Sequence, residues 1–373
     1  MKILIAPNSM KGSLNAFDFA DIVEKAFLSI SDEFEIKKLP VADGGDFTGE
    51  VLQRSLNAKN IFVEVRGPLG ETVQSKYAIY QNIAIIEMAD ASGMKLVDNN
   101  LLNPLIASSY GTGQLINDAI SKGCTEIFLA IGGSVTVDGG MGIMTALGFR
   151  FYDKNKIELA GNGENLAKIK TIQNPKNHTN ISIKIICDVD NLLLGEKGAA
   201  AVFGPQKGAT PQMVIKLEKG LKNLVDIIYS ETGKKLDLIE GGGAAGGVAI
   251  PLVAFYNTEI VPGANFILNQ LNFDEQVKWA DIVITGEGKI DSQTLNNKAP
   301  FAVAKVAHKN NRPVFAIGGQ ADLAASLSVF NKIYSLTNNQ INLEYAIKNV
   351  KQLLFDVSVE LAKNVMHSHK KEK

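Results

Sequence analysis

The chain runs to 373 residues, 46% of them hydrophobic and 21% charged, and its 38 basic and 39 acidic side chains leave a formal net charge of −1. That balance, with no long block of one sign, speaks against a nucleic-acid or membrane-surface binder. Cys124 and Cys187 are the only cysteines; they are too few for a disulfide framework, so a reducing cytoplasm is the expected location.

The length exceeds what one core ordinarily serves, so two domains are expected. KILIAP at the start reads as a buried strand, too short in its apolar part for a signal-peptide core. Ser13 or Asn15 can cap the helix that follows, where Phe17, Ala20, Val23, Phe27 and Ile30 recur at helical spacing. EIKKLP, IFVEV, YAIY and IAIIEM come next as strands, then the helix GQLINDAISKG and the strands EIFLAIGG and ISIKIICDV. The helix PQMVIKLEKGLKNLVDIIYSE precedes the strand DIVITGEG, the helix PFAVAKVAHK and the strands PVFAIGG and KIYSL. One long helix, LEYAIKNVKQLLFDVSVELAKNVM, leads into a solvated basic tail. No apolar run nears the roughly 18 residues of a membrane-spanning helix.

Strands alternating with helices predict an α/β fold with parallel sheets. The two chain ends share short apolar strands, and EIKKLP, KILIAP, DIVITG, PVFAIG and KIYSL can make one doubly wound parallel sheet. Residues 1–60 plus 264–373 are therefore expected to form one discontinuous α/β domain, with 61–263 an inserted second α/β domain.

Ligands of open parallel sheets bind beyond the carboxyl ends of the strands, and four polar, glycine-rich stretches follow strands here. The first, Asn8-Ser9-Met10-Lys11-Gly12-Ser13, suits a phosphate or carboxylate at a helix start, or is a capped turn with a solvated lysine. ADGGDFTGE puts Asp43 and Asp46 around two glycines, which fits Mg²⁺ held through water or a turn ending in a helix cap. IGGSVTVDGGMG holds Ser134, Thr136 and Asp138 among five glycines, more than a single cap requires, so a ligand cradle is favoured. TGEGKIDSQTLNNKAP gathers Glu287, Lys289, Asp291 and Thr294 in one expected loop. ICDVDN adds Asp188 and Asp190, candidates for a base or metal ligand or simply a strand end with an Asx turn.

GGGAAGG carries a G-x-G-x-x-G spacing at Gly241, Gly243 and Gly246, but the run before it is a poor strand. Close helix packing is the better reading of those glycines. No P-loop and no G-x-S-x-G elbow occurs, and His178, His308, His367 and His369 make no metal spacing with the cysteines.

Taken in order, APNSMKGSL, ADGGDFTGE, NPLIASSYGTGQLI, IGGSVTVDGGMG, ICDVDNLLLGEKGAAAVFGPQKGA, GGGAAGG and ITGEGKIDSQTLNNKAP resemble the bacterial glycerate kinase family, from Met1 to about Gly319. Asn8 and Met10 stand where that family's first loop commonly has Asp and Phe, and Asp46 and Phe47 where its second has Glu and Gly. Val137 stands where Asn is common, and Leu192 where Pro is common.

The resemblance implies ATP-dependent phosphorylation of D-glycerate to 2-phosphoglycerate with Mg²⁺, on two α/β domains of which one is flavodoxin-like. Glycerate and ATP are then the small-molecule partners, with no nucleic acid and no membrane; a homo-oligomer stays open. Phosphoryl transfer asks for positioning and charge neutralisation. Lys11 is assigned to a phosphate or to the glycerate carboxylate, and Asp188 leads as base. Asp43 and Asp291 are the candidate Mg²⁺ ligands, through water. Gly132, Gly133, Ser134, Asp138 and Gly139 would line the cradle, with Ser9, Glu287 and Thr294 on substrate or nucleotide oxygens. Two rival readings remain: an NAD-dependent dehydrogenase using GGGAAGG, with Glu259 on the ribose, and a non-catalytic sensor of sugar acids or nucleotides.

Overall fold

The computed structural model describes residues 1–45, 47–176, 180–291, 294, 298–322 and 329–372. The chain divides into two compact units: Met1–Asp43 with Pro262–Lys373, and Gly44–Val261. In chain order the first part supplies β1 (Lys2–Ile5), α1 (Ala16–Leu28) and β2 (Glu35–Lys38). The middle supplies α2 (Thr48–Ser55), β3 (Lys59–Arg66), β4 (Thr72–Tyr80), β5 (Ile83–Glu87), α3 (Ala89–Ser92) and α4 (Tyr110–Ser121). It continues with β6 (Glu126–Ala130), α5 (Met141–Ala146), β7 (Arg150–Tyr152), β8 (Thr171–Gln173) and β9 (Ser182–Cys187). It closes with α6 (Pro211–Thr232), α7 (Ala249–Phe255) and β10 (Asn257–Pro262). The last part adds α8 (Gly263–Gln270), α9 (Phe273–Trp279), β11 (Ile282–Ile290), α10 (Ala299–Lys309), β12 (Val314–Ala321) and β13 (Lys332–Ser335). Two helices end the chain, α11 (Leu343–Lys348) and α12 (Val350–Glu372).

The first unit holds a five-stranded sheet in the order β13-β12-β11-β1-β2, with β1 parallel to both β2 and β11. Counted within the unit, this is the 2-1-3-4-5 order of flavodoxin-like folds, built from both chain ends as expected. The strand order reverses between β1 and β11, and that switch point is where such sheets bind ligands. Alternation along β1 explains why both sheet faces are dry. Ile3 and Ile5 join Phe19, Val23 and Phe27 of α1 and Leu354 and Leu361 of α12. Leu4 and Ala6 join Leu268, Val277 and Val303 on the other face. Asn15 is the cap of α1, its side chain accepting from the Asp18 N–H at 2.8 Å. Burying Phe19 and Phe27 on that helix contributes about 2–3 kcal/mol each.

The second unit holds a six-stranded sheet in the order β10-β9-β6-β5-β4-β3. Strands β3, β4 and β5 form an antiparallel meander, after which β5, β6 and β9 run parallel. Its core joins Ile127 and Leu129 of β6, Ile183 and Ile185 of β9, Leu115 and Ile116 of α4, and Leu221 and Leu224 of α6. A separate antiparallel pair, β7 with β8, is three residues a side, too short to show in hydrophobic periodicity.

Three details differ from the sequence reading. Residues 44–60 sit with the second unit, where α2 packs on β5. The TGEGKI segment is strand, because β11 keeps pairing with β12 as far as Ile290 opposite Ala321. The long final helix is broken at Asn349, which has φ −112° and whose side-chain amide donates to the Tyr345 carbonyl, ending α11 before α12 begins.

Candidate active site

The switch point of the first unit gathers most of the predicted polar groups. Beyond β1 the chain stays paired along β11, with the Asn8 N–H donating to the Gly286 carbonyl at 2.8 Å. This holds Asn8 where its amide donates to Asp43 Oδ2 at 3.0 Å, while its own oxygen accepts from the Ser9 N–H. From β11, Glu287 accepts from the Thr294 hydroxyl at 2.8 Å, and that hydroxyl accepts in turn from the Asp291 N–H. Lys298 approaches Glu287 at 3.9 Å and Lys289 pairs with Asp291 at 2.9 Å. Ser9, Asp43, Glu287, Asp291 and Thr294 are all buried, whereas Lys11 is exposed. A side chain at Gly286 would strike the Ile317 carbonyl at 2.3 Å and the Phe19 ring at 2.6 Å, so only glycine lets β11 lie this close.

Burial raises the Glu287 pKa to about 7; Lys298 and the Thr294 hydrogen bond oppose the rise, and the charges of Asp43 and Asp291 add to it. Acids that repel one another in this way are a donor set that a dication relieves. Among the described residues no three acids, histidines or cysteines converge closely enough to hold a metal alone. Mg²⁺ ordinarily takes one or two carboxylates together with phosphate oxygens and water. The residues therefore fit an ion that arrives with a nucleotide.

In the second unit the loop between β6 and α5 divides into two halves with different work. Gly132 and Gly133 are half-buried, and Ser134 is buried at 4% exposed. The later half faces inward. Asp138 is 0% exposed. It accepts from the Ser109 hydroxyl at 2.7 Å, from the Ser109 N–H at 2.8 Å and from the Gly140 and Gly142 N–H groups at 3.1 and 3.2 Å. It is an anchor for the loop, with no oxygen presented to a ligand; burial pushes its pKa up and those donors pull it back. Gly139, φ +58°, also packs inward, since a side chain there would meet Leu224 at 2.4 Å. Both residues were expected to line a ligand cradle; the structure instead packs both into the interior. Val137 is fully buried in the core.

Asp188 is exposed at the first position beyond β9, and Asp190 is exposed two residues on. The strand stops at Cys187, so the two do not continue one strand face. Gly44, φ +105°, lies so close that a side chain on it would meet the Asp188 backbone nitrogen at 3.0 Å.

Two buried charged groups escaped the sequence reading. Lys207, 2% exposed, donates to the Ser134 hydroxyl at 3.0 Å and the Thr136 carbonyl at 2.8 Å. Burial lowers its pKa to about 7 against the opposing charge of Asp138. It is the single charge in residues 198–215, a run of small and apolar residues, and that isolation was the available signal. Glu87, at the end of β5, accepts from the Phe47 N–H at 2.8 Å and the Glu50 N–H at 3.3 Å, capping α2 from outside the helix. A side chain at Gly49 would meet the Glu87 Cβ at 2.9 Å. Nothing local in ADGGDFTGE points to a carboxylate 40 residues away. Asp46 lies outside the described residues.

GGGAAGG is not a dinucleotide turn. No strand leads into it, and the segment before Gly241 is turn and coil. Its glycines admit backbone: a side chain at Gly246 would strike the Thr136 carbonyl at 2.3 Å, and the Gly139 N–H donates to the Gly246 carbonyl. The dehydrogenase reading therefore falls. A surface cavity of about 500 Å³ in the same unit is lined by Leu194, Ala201, Val214, Ile215, Glu218 and Lys222, without the set of groups that phosphoryl transfer uses. No helix among the described residues is long and apolar enough to cross a membrane.

The sequence model described as the glycerate kinase family matches residues 3–366. A glycerate kinase of Bacillus subtilis is 37% identical over 98% of both chains. Glycerate kinase of Halalkalibacterium halodurans is 44% identical over 85% of both. Glycerate 2-kinase of Escherichia coli is 39% identical over 86% of this chain and 85% of its own. A crystal structure assigned as glycerate kinase 2 of Salmonella typhimurium aligns over 99% of both chains with a TM-score of 0.85 and 37% identity.

Proposed function

The chain belongs to the glycerate kinase family, and from that premise we propose that it transfers the γ-phosphoryl group of ATP to D-glycerate, giving 2-phosphoglycerate and ADP. The observation that carries this reading is the set of buried acids at the switch point, Asp43, Glu287 and Asp291, ordered by Asn8 and Thr294. A binding module has little use for acids whose mutual repulsion must be tolerated at rest, which speaks against the sensor reading. The 2-hydroxyl is the proposed acceptor because the Escherichia coli relative is a 2-kinase by name.

In the proposed reaction the exposed carboxylate of Asp188 accepts the proton of the glycerate 2-hydroxyl. The hydroxyl oxygen bonds to the γ-phosphorus as the bridge to the β-phosphate breaks. Lys11 offsets charge on a phosphate or on the glycerate carboxylate, and Ser9 and Thr294 orient substrate oxygens. Asp43 and Asp291 would hold Mg²⁺, which when bound neutralises charge on the phosphates. Gly132, Gly133 and Ser134 offer a close backbone and a hydroxyl to an anionic ligand. A cytoplasmic location is proposed with this chemistry, in keeping with two buried, free cysteines.

The test is ADP release from Mg-ATP with and without D-glycerate, with the product read by phosphorus NMR. Glycerate-dependent ADP with phosphate on C2 is expected. No glycerate-dependent ADP would overturn the function, and phosphate on C3 would overturn the choice of hydroxyl.

A further inference from the structure

Lys207 has no part in the reaction just described, yet it sits under the wall of the proposed cradle. Its own turn is held rigidly. The Lys207 N–H donates to the Gly204 carbonyl at 3.0 Å, and a side chain on the next residue, Gly208 at φ +91°, would strike the Leu102 carbonyl at 2.3 Å. From there the amine reaches two groups of the loop, a carbonyl that can only accept and a hydroxyl that can do either. The loop is clamped on its other side as well. Met94 N–H donates to the Gly133 carbonyl at 2.9 Å, and Val135 N–H to the Ser92 carbonyl at 3.0 Å.

We propose that Lys207 is a positioning residue that fixes the Ser134 hydroxyl as a hydrogen-bond donor toward a phosphate or carboxylate oxygen of the ligand held at Gly132–Ser134. An ammonium group has three donors and no acceptor. In its charged form the lysine therefore donates to the Ser134 oxygen, and the serine hydrogen is then turned away from it. The second bond, to the Thr136 carbonyl, sets the backbone on which Ser134 stands. Charge acts in the same direction, because a buried cation beneath the loop favours an anion bound at it, with Asp138 as the cation's opposing charge. This rests on the cradle reading given above, and the experiment separates the two.

Lys207→Met keeps the length and apolar stem while removing every donor; Lys207→Gln restores a donor, and Ser134→Ala removes the hydroxyl alone. Each variant, and the Lys207→Met/Ser134→Ala double, is assayed for kcat and for KM toward ATP and glycerate. Lys207→Met and Ser134→Ala are each expected to raise one of the two KM values by tenfold or more and leave the other within twofold. The double variant should be no worse than the poorer single, and Lys207→Gln should lie between wild type and Lys207→Met. A role in folding alone would move both KM values together and lower the melting temperature without that selectivity, which overturns the proposal. So does an additive double variant. Should the lysine variants fail to fold, Ser134→Ala decides: a change under twofold in both KM values overturns it. In each of these cases a wild type active on glycerate leaves the kinase reading standing, whereas an inactive wild type removes both.

Discussion

The two units each place an aspartate in a glycine-rich stretch beyond a parallel strand, and they use it in opposite ways. Asp43 is buried but shares its surroundings with Glu287 and Asp291, so its charge meets other charges and an amide from Asn8. Asp138 meets no other acid. Its oxygens take four hydrogen bonds from two backbone segments and a hydroxyl, and it is wholly enclosed. The lesson concerns what surrounds a carboxylate. Backbone donors converging on one acid make a structural hub, while acids converging on one another make a place for a cation or a proton.

That contrast can be broken most directly at the acids themselves. Asp188→Asn is expected to cut turnover by about 10²–10⁴-fold with an unchanged melting temperature, as removal of a base does. Asp43→Asn should likewise lose activity with its fold intact; a large drop in melting temperature for Asp43→Asn would erase the distinction from Asp138. Asp138→Ala should do the reverse first, destabilising the chain by about 3–5 kcal/mol in chemical denaturation, because it strands several buried donors. Should that variant unfold no more easily than wild type while losing activity, Asp138 belongs with the reacting groups after all.

A finer test lies beside it. Gly139→Ala places a methyl on Leu224 at a backbone angle suited to glycine, and should cost about 2–3 kcal/mol; equal stability with weakened substrate binding would return Gly139 to the cradle. The last expected effect is a dependence on pH. Burial raises the Glu87 pKa from 4.5 to about 7, opposed by its bonds to the backbone of α2. The folded state therefore binds this proton more tightly than the unfolded one. Its contribution to stability is full below the unfolded value and is lost as pH rises from 4.5 to 7. Comparing Glu87→Gln with wild type across that window should reveal about 3 kcal/mol of pH-dependent difference; parallel curves would mean that Glu87 ionises normally.

How far the sequence could be read followed the range of the interactions involved. The parallel sheet of the chain ends was legible because β1 and β11 bury both faces, so that residues 3–6 and 282–284 are unbroken apolar runs. The three-residue strands β7 and β8 carry no period long enough to detect. Among the candidate residues, Asp43, Glu287, Asp291 and Thr294 were singled out and do meet, since all lie at or beyond the carboxyl ends of neighbouring strands where the sheet order reverses. Asp138 and Gly139 looked the same in sequence, and only their three-dimensional neighbours, Ser109 and Leu224, reveal their use. Lys207 and Glu87 act on loops 71 and 40 residues away, beyond any local pattern.

The pairing of β1 with β11 sets a timetable for synthesis. Ile3 lies opposite Ile282, so β1 must wait for 279 further residues, nearly three quarters of the 373, before its central neighbour exists. At typical elongation rates of about 5–20 residues per second, that wait is roughly 15–60 s. Meanwhile β1, α1 and β2 can hold only a fragment of their sheet, while residues 44–261 emerge as one uninterrupted stretch with a core of their own. The inserted unit is thus the one able to finish first on the ribosome. The unit built from both chain ends finishes last, and it spends the interval with an apolar edge for chaperones to shield.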